Sequence, residues 1–157
     1  MKKLLILGAG GMLGHVVYTY LDSLNKYEII NSSHHNKAFH DSVLLDVTNK
    51  SKLESFILKI EPDIIVNCIG ILIKGSKDDS TNAIYLNSYL PHQLEKVLFS
   101  YGGKLIHIST DCVFTGNKGN YIETDNKDAR DTYGLSKALG EVDNNHDLTI
   151  RTSIIGP

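Results

Sequence analysis

Tyr133 and Lys137 stand four residues apart in the run Tyr133-Gly134-Leu135-Ser136-Lys137. On a helix that spacing puts the phenol and the ammonium on one face, with the charge beside the phenol oxygen. An unperturbed phenol has a pKa of about 10 and is a poor acid–base group near neutrality. A neighbouring ammonium favours the phenolate and draws that pKa down. A hydroxyl from the run Ser109-Thr110-Asp111 completes a set whose joint purpose would be proton delivery to a carbonyl. In 157 residues with 8 Tyr and 14 Lys, a Tyr followed four places later by Lys arises about 0.7 times by chance, so the pair gains weight only from its surroundings.

Those surroundings begin at the N-terminus. Leu4 to Leu7 is a short apolar run that ends in Gly8-Ala9-Gly10-Gly11-Met12-Leu13-Gly14, and helical spacing follows at Leu13, Val16, Val17, Tyr20, Leu21 and Leu24. The order is strand, glycine turn, helix. Gly8, Gly11 and Gly14 permit a tight turn, approach of backbone to a pyrophosphate and close packing of helix on sheet, with the helix N-terminus facing the anion. This segment predicts dinucleotide binding.

A second strand is expected over Tyr27 to Asn31, followed by a loop from Ser32 to Lys37 that offers hydroxyls, imidazoles and an ammonium but no carboxylate. A carboxylate there would bind a ribose 2′-hydroxyl and repel a 2′-phosphate, so its lack favours NADPH, with NADH as the alternative. His34, His35 and His40 have no carboxylate or cysteine at ligand spacing, and no metal site is expected. Val43 to Leu45 reads as a third strand. Asp46 after it could accept from an adenine amino group or cap a helix.

A helix over Lys50 to Ile60 precedes Pro62, and Asp63 to Gly70 is the most strand-like stretch, suited to a central strand covered on both faces. Its end, Asn67 to Gly70, brings small residues near a bound cofactor, and Cys68 reads as a core residue. Ile71 to Ser80 is expected to be a solvated loop. Thr81 to Tyr101 has helical spacing with Pro91 inside it, which leaves the Asn87 carbonyl without an N–H donor. That carbonyl and the Asn87 amide could hold a water or orient Lys137, or the proline could simply kink the helix. A fifth strand, Lys104 to Ile108, delivers Ser109, Thr110 and Asp111 to the sheet edge where ligands bind. Gly116 to Asp131 is loop-like, the helix with Tyr133 and Lys137 is expected to run to about Asp143, and Leu148 to Ser153 forms a sixth strand.

Length favours a single domain. The net charge of −2, with basic residues scattered, argues against a nucleic-acid partner. The apolar run after Met1-Lys2-Lys3 stops at Gly8, too short for a signal peptide, and no stretch approaches a membrane span. Two cysteines, Cys68 and Cys112, make no disulfide framework, and a reducing cytoplasm fits.

Taken together, the glycine turn, Ser109-Thr110-Asp111, Tyr133 and Lys137 resemble the extended short-chain dehydrogenase/reductase family. Within it, Ser109-Thr110-Asp111-Cys112-Val113-Phe114-Thr115-Gly116, Tyr121, Glu123 and the run from Tyr133 to Glu141 are similar to the dTDP-4-dehydrorhamnose reductase group. The resemblance implies an α/β Rossmann domain: a doubly wound parallel sheet with strand order 3-2-1-4-5-6. It implies reduction of a 4-keto group on a nucleotide-activated deoxysugar with NADPH or NADH, in the service of polysaccharide biosynthesis. Thr110 would bind the sugar carbonyl, Tyr133 would donate the proton, and Lys137 would bind the nicotinamide ribose and tune Tyr133. The expected cofactor residues are Gly8, Gly10, Gly11, Met12, Leu13 and Gly14; Ser32, Ser33 and His34; Asp46 and Val47; Cys68, Ile69 and Gly70; and Asn87, Tyr133 and Lys137. A homodimer is common among such enzymes. Cys112 stands where the group usually has Tyr, and the family continues past the sixth strand into a substrate domain, so the chain reads as the cofactor half. The rivals are an epimerase or dehydratase with the same trio, which would need a further acid–base residue, and a non-catalytic NADP-binding sensor, which would not need Tyr133.

Overall fold

In the computed structural model, which describes residues 1–153, six parallel strands form one sheet in the order β3-β2-β1-β4-β5-β6. The expected order is borne out. β1 (Lys2–Leu7) sits centrally, interior from Leu4 onward, and its unbroken apolar run suits a strand covered on both faces. It pairs with β2 (Tyr27–Ser33) from Lys2↔Tyr27 to Leu7↔Ser32 and with β4 (Ile64–Asn67) from Leu4↔Ile64 to Leu7↔Asn67. β3 (Val43–Leu44) is a two-residue edge strand, while β5 (Lys104–Thr110) and β6 (Leu148–Thr152) extend the other side. Every register brings strand C-termini to one edge, where Gly8, Asn67 and Thr110 emerge together.

Alternation along β1 divides the interior. Leu5 and Leu7 join Leu53 and Ile57 of α2 (Lys50–Ile60) and Leu90, Leu94 and Leu98 from further along the chain. Ile6 points to the other face, where Ala9 and Val66 are covered by Val17, Tyr18 and Leu21 of α1 (Met12–Ser23) and by Phe39. Among the described residues, no helix is long and apolar enough to cross a membrane.

β4 ends at Asn67, short of the expected Gly70, and three helical stretches also depart from the expected elements. Ile71 to Ser80 is largely helical: α3 (Ile73–Asp78) folds although its sequence is polar, because Ser76 is buried and donates from its hydroxyl to the Ile71 carbonyl (3.2 Å). The long helix is built from α4 (Ser80–Ala83), a π-helical stretch Ile84–Tyr89 and α5 (Leu90–Phe99). Leu90 N–H reaches back to the Tyr85 carbonyl and Pro91 has no N–H to give, so the ladder is widened where the proline enters. Finally, α6 (Thr132–Leu139) stops short of Asp143. After Gly140 the chain turns so that Val142 enters the core, its backbone N–H and carbonyl both bound by the Thr149 hydroxyl (3.1 and 2.8 Å).

Candidate active site

The glycine turn is shaped by contacts that leave no room for side chains. Gly8 has φ of +80°, and a Cβ there would lie 2.9 Å from the Ile69 side chain. At Gly14 an added Cβ would come within 2.1 Å of the Gly8 carbonyl, so only glycine lets α1 close on the turn. Beside it lies a cavity of about 170 Å³ lined by Gly8, Ser32, Ser33, His34, Leu45, Asp46, Val47, Thr48, Ile69, Asn82 and Leu86. Seven of these were expected cofactor residues, and Asn82 and Leu86 join them from the long helix. Ser32 and Ser33 belong to β2 itself rather than to the following loop. The Asp46 carboxylate accepts from Thr48 N (2.9 Å) and Thr48 Oγ1 (2.7 Å), bonds that hold it below the usual carboxylate range, and lies 3.7 Å from His34 Nε2. It does not cap α2, whose cap is Asn49, accepting from Lys52 N at 3.1 Å.

On the other side of the edge, a cleft of about 610 Å³ is lined by Met12, Leu72, Ile73, Lys74, Ser109, Thr110, Asp111, Cys112, Tyr133, Thr152 and Ser153. Thr110 and Tyr133 therefore meet in one cavity. Thr110 ends β5 and its hydroxyl accepts from Cys112 N (3.2 Å), which starts a single 3₁₀ turn, Asp111–Val113. Asp131 caps α6 through Gly134 N (3.1 Å). Gly134 packs so closely that a Cβ would sit 2.4 Å from the Cys112 carbonyl, and this contact sets Tyr133 beside the Thr110 turn.

Lys137 is buried, only 4% exposed, and its ammonium donates to the Ile108 carbonyl at 2.7 Å. Burial lowers its pKa to about 8, against the pull of Glu141 and Cys68, so it is mostly cationic at neutral pH. The expected downward tuning of Tyr133 is not what the structure shows. Burial raises the phenol above its ordinary value, with Cys112, Asp111 and Asp131 adding to the rise and the Thr110 hydroxyl opposing it. Cys68 is likewise pushed up, to about 11, and stays a thiol.

Asn87, in the π stretch, is fully buried and joins three segments. Its Oδ1 accepts from Ile71 N (2.8 Å), and its Nδ2 donates to the Ile71 carbonyl (3.0 Å) and to Ser136 Oγ (3.0 Å). Its own backbone carbonyl is where α6 ends: a Cβ on Gly140 would lie 1.8 Å from it. Cys68, Gly70, Asn87 and Lys137 line neither cavity, and neither do Gly10, Gly11, Leu13 and Gly14. Gly70 stands closest to the buried pair, its missing Cβ 3.7 Å from the Lys137 nitrogen.

Sequence reading did not single out two buried groups that hold this side of the site. Glu141 accepts from Ser109 Oγ (2.7 Å) and from both Arg151 Nε and Nη2 (2.8 Å each), with Lys127 at 3.1 Å. His107 on β5 accepts from Asn67 Nδ2 through Nδ1 (3.2 Å), which leaves its buried Nε2–H without a partner. The Asn67 Oδ1 in turn accepts from Ile69 N (3.1 Å), so this pair braces the β4 end against the glycine turn. A polar residue inside an otherwise apolar strand was the available signal for His107.

A family model described as the RmlD substrate binding domain matches residues 1–155. The chain belongs to that family. It is 33% identical over 143 residues to the dTDP-4-dehydrorhamnose reductase of Aggregatibacter actinomycetemcomitans, covering 90% of this chain and 46% of that protein. The structure of a hypothetical dTDP-4-dehydrorhamnose reductase from Sulfolobus tokodaii superimposes with a TM-score of 0.88 at 32% identity, over 96% of this chain and 55% of that one. The Bacillus anthracis dTDP-4-dehydrorhamnose reductase, solved in complex with NADP, aligns with a TM-score of 0.80 at 29% identity, over 96% and 53%. The chain thus spans about half the length of these RmlD-family relatives.

Proposed function

We propose that this chain is the cofactor-binding half of an NADPH-dependent reductase acting on the 4-keto group of a nucleotide-activated deoxysugar. The observation that carries the reading is the convergence of Thr110 and Tyr133 on one cleft, with Lys137 buried one turn further along the same helix. Similarity to reductases of this name, one of them solved with NADP, supports it.

The residues fit the dinucleotide. Gly8 and Gly14 clear the backbone for a pyrophosphate, and the cavity at Ser32, Ser33, His34 and Asp46 suits an adenosine end. No carboxylate stands on β2 at that end, which favours the 2′-phosphate of NADPH over NADH. NADPH, when bound, supplies the hydride. Thr110 holds the sugar carbonyl oxygen by its hydroxyl, and the Tyr133 phenol gives that oxygen its proton as the alcohol forms. Because burial raises Tyr133, its proton is retained throughout the neutral range. Lys137, its nitrogen fixed by the Ile108 carbonyl, would bind the nicotinamide ribose in this reading. An epimerase would need another acid–base group in the cleft; Cys112, in the place of the group's usual Tyr, and the hydrogen-bonded Asp111 do not suit that part.

In the full-length protein, Tyr133→Phe should lower kcat for 4-keto reduction about 1,000-fold and leave NADPH affinity within about twofold. Titration of the 157-residue chain with NADPH and NADH should show NADPH the tighter. Undiminished turnover by Tyr133→Phe would overturn the proton donor, and full cellular function of that variant would favour the sensor.

A further inference from the structure

We propose that Lys74 binds the diphosphate of the nucleotide-sugar substrate, on the wall of the cleft facing Tyr133. The inference rests on the reductase reading and adds to it a residue and a substrate group.

Lys74 lies on α3, the helix that sequence patterning reads as loop. Folding as a helix places Leu72, Ile73 and Lys74 on the lining of the same cleft as Thr110 and Tyr133. Leu72 and Ile73 are large apolar side chains left 62% and 50% exposed there. Lys74 is exposed and, among the described residues, has no ion pair or side-chain hydrogen bond, while Lys3, Lys118, Lys127 and Lys137 all have partners. Among the described residues it is the sole cation in the lining of the cleft.

The backbone that carries this ammonium is held firmly. Asn87 takes both the N–H and the carbonyl of Ile71, immediately before α3, and the same side-chain nitrogen reaches Ser136, one residue before Lys137. The stem of Lys74 and the helix that bears Tyr133 are thereby fixed to one buried amide, while the Lys74 side chain stays free to meet a ligand. The same lining carries Asp111, whose carboxylate is held below the usual range by the Ser153 hydroxyl and stays anionic. A diphosphate is repelled by Asp111 and drawn to Lys74. That orientation leaves the uncharged sugar ring to Thr110 and Tyr133.

The test uses the full-length enzyme, with thymidine and uridine 5′-diphosphates and their monophosphates as probes, by calorimetry at two salt concentrations. Lys74→Ala should weaken binding of the better diphosphate about 5- to 10-fold and make it less salt-dependent, with monophosphate and NADPH affinities within about twofold. Lys74→Arg should recover most of the loss, and KM for the nucleotide sugar should rise with kcat unchanged. Unchanged diphosphate affinity in Lys74→Ala overturns the inference and leaves the reductase reading standing. So does a parallel fall in NADPH affinity, which would assign Lys74 to the dinucleotide. If the unmodified enzyme binds none of the nucleotides, the reductase reading itself fails.

Discussion

The two sides of the ligand-binding edge are built by opposite means. At the glycine turn the site exists because side chains are missing: Gly8 and Gly14 admit contacts of 2.9 and 2.1 Å that any Cβ would violate. At the β5–α6 side it exists because polar side chains are buried and satisfied: Asn87, Ser109, Glu141 and Lys137 link β5, α6 and the π stretch through hydrogen bonds. The first construction tolerates changes in what lines it but not an added atom. The second should tolerate small changes in volume but not the loss of a partner, because a buried group left alone carries its full desolvation cost.

The contrast can be broken most severely at Gly14. Gly14→Ala should cost about 4 kcal/mol in denaturant unfolding and weaken NADPH binding more than about 100-fold, since the clash is with backbone rather than a flexible side chain. On the other side, Glu141→Ala should cost about 3 kcal/mol by leaving Arg151 and Ser109 without their acceptor, whereas a second substitution of Arg151 should cost little more. The acid limb of stability tests the same side. Burial lowers His107 to about 3, so the folded state keeps it neutral while the unfolded chain takes up a proton below its ordinary value of about 6.5. Stability from this group is complete above pH 6.5 and declines as pH falls toward 3, with about 2 kcal/mol lost by pH 5; His107→Gln should flatten that slope in urea titrations. The smallest effects, about 1 kcal/mol each in thermal unfolding, are expected from Asn49→Ala at α2 and Asp131→Ala at α6, one cap on either side. Only the second should also slow turnover, because α6 carries Tyr133.

What was legible in the sequence follows the same division. The glycine turn and the placing of Tyr133 and Lys137 on one helix depend on local runs and spacings, which periodicity reports, whereas the strand order followed from the family resemblance. α3 was not legible, because Lys74 to Asp79 carries no apolar period and its fold depends on Ser76 and on the Asn87 clamp, sixteen residues from Ile71. The Glu141–Ser109 and Asn67–His107 pairs lay hidden for the same reason, since hydrogen bonds across 32 and 40 residues leave no mark on neighbouring positions. The direction of the Tyr133 shift was misread because helix spacing suggests a nearby cation but shows neither the burial that raises the phenol nor the Cys112, Asp111 and Asp131 neighbours that add to it.

The central place of β1 also bears on how the chain finds its shape. Its first neighbour in sequence, β2, is a short crossover away, but its other partner is β4, and the bond from Lys3 N to Asp63 closes a loop of 60 residues. Loop closure of that length costs about 3.6 kcal/mol of chain entropy beyond a constant, before any contact repays it. β4 pairs with β1 across the whole of α1, β2, β3 and α2, and β5 in turn pairs with β4. The high separation of these pairings predicts slow, late assembly of the Thr110–Tyr133 cleft relative to the glycine turn. A chain emerging from its N-terminus would thus form the glycine turn before Tyr133 is set beside Thr110.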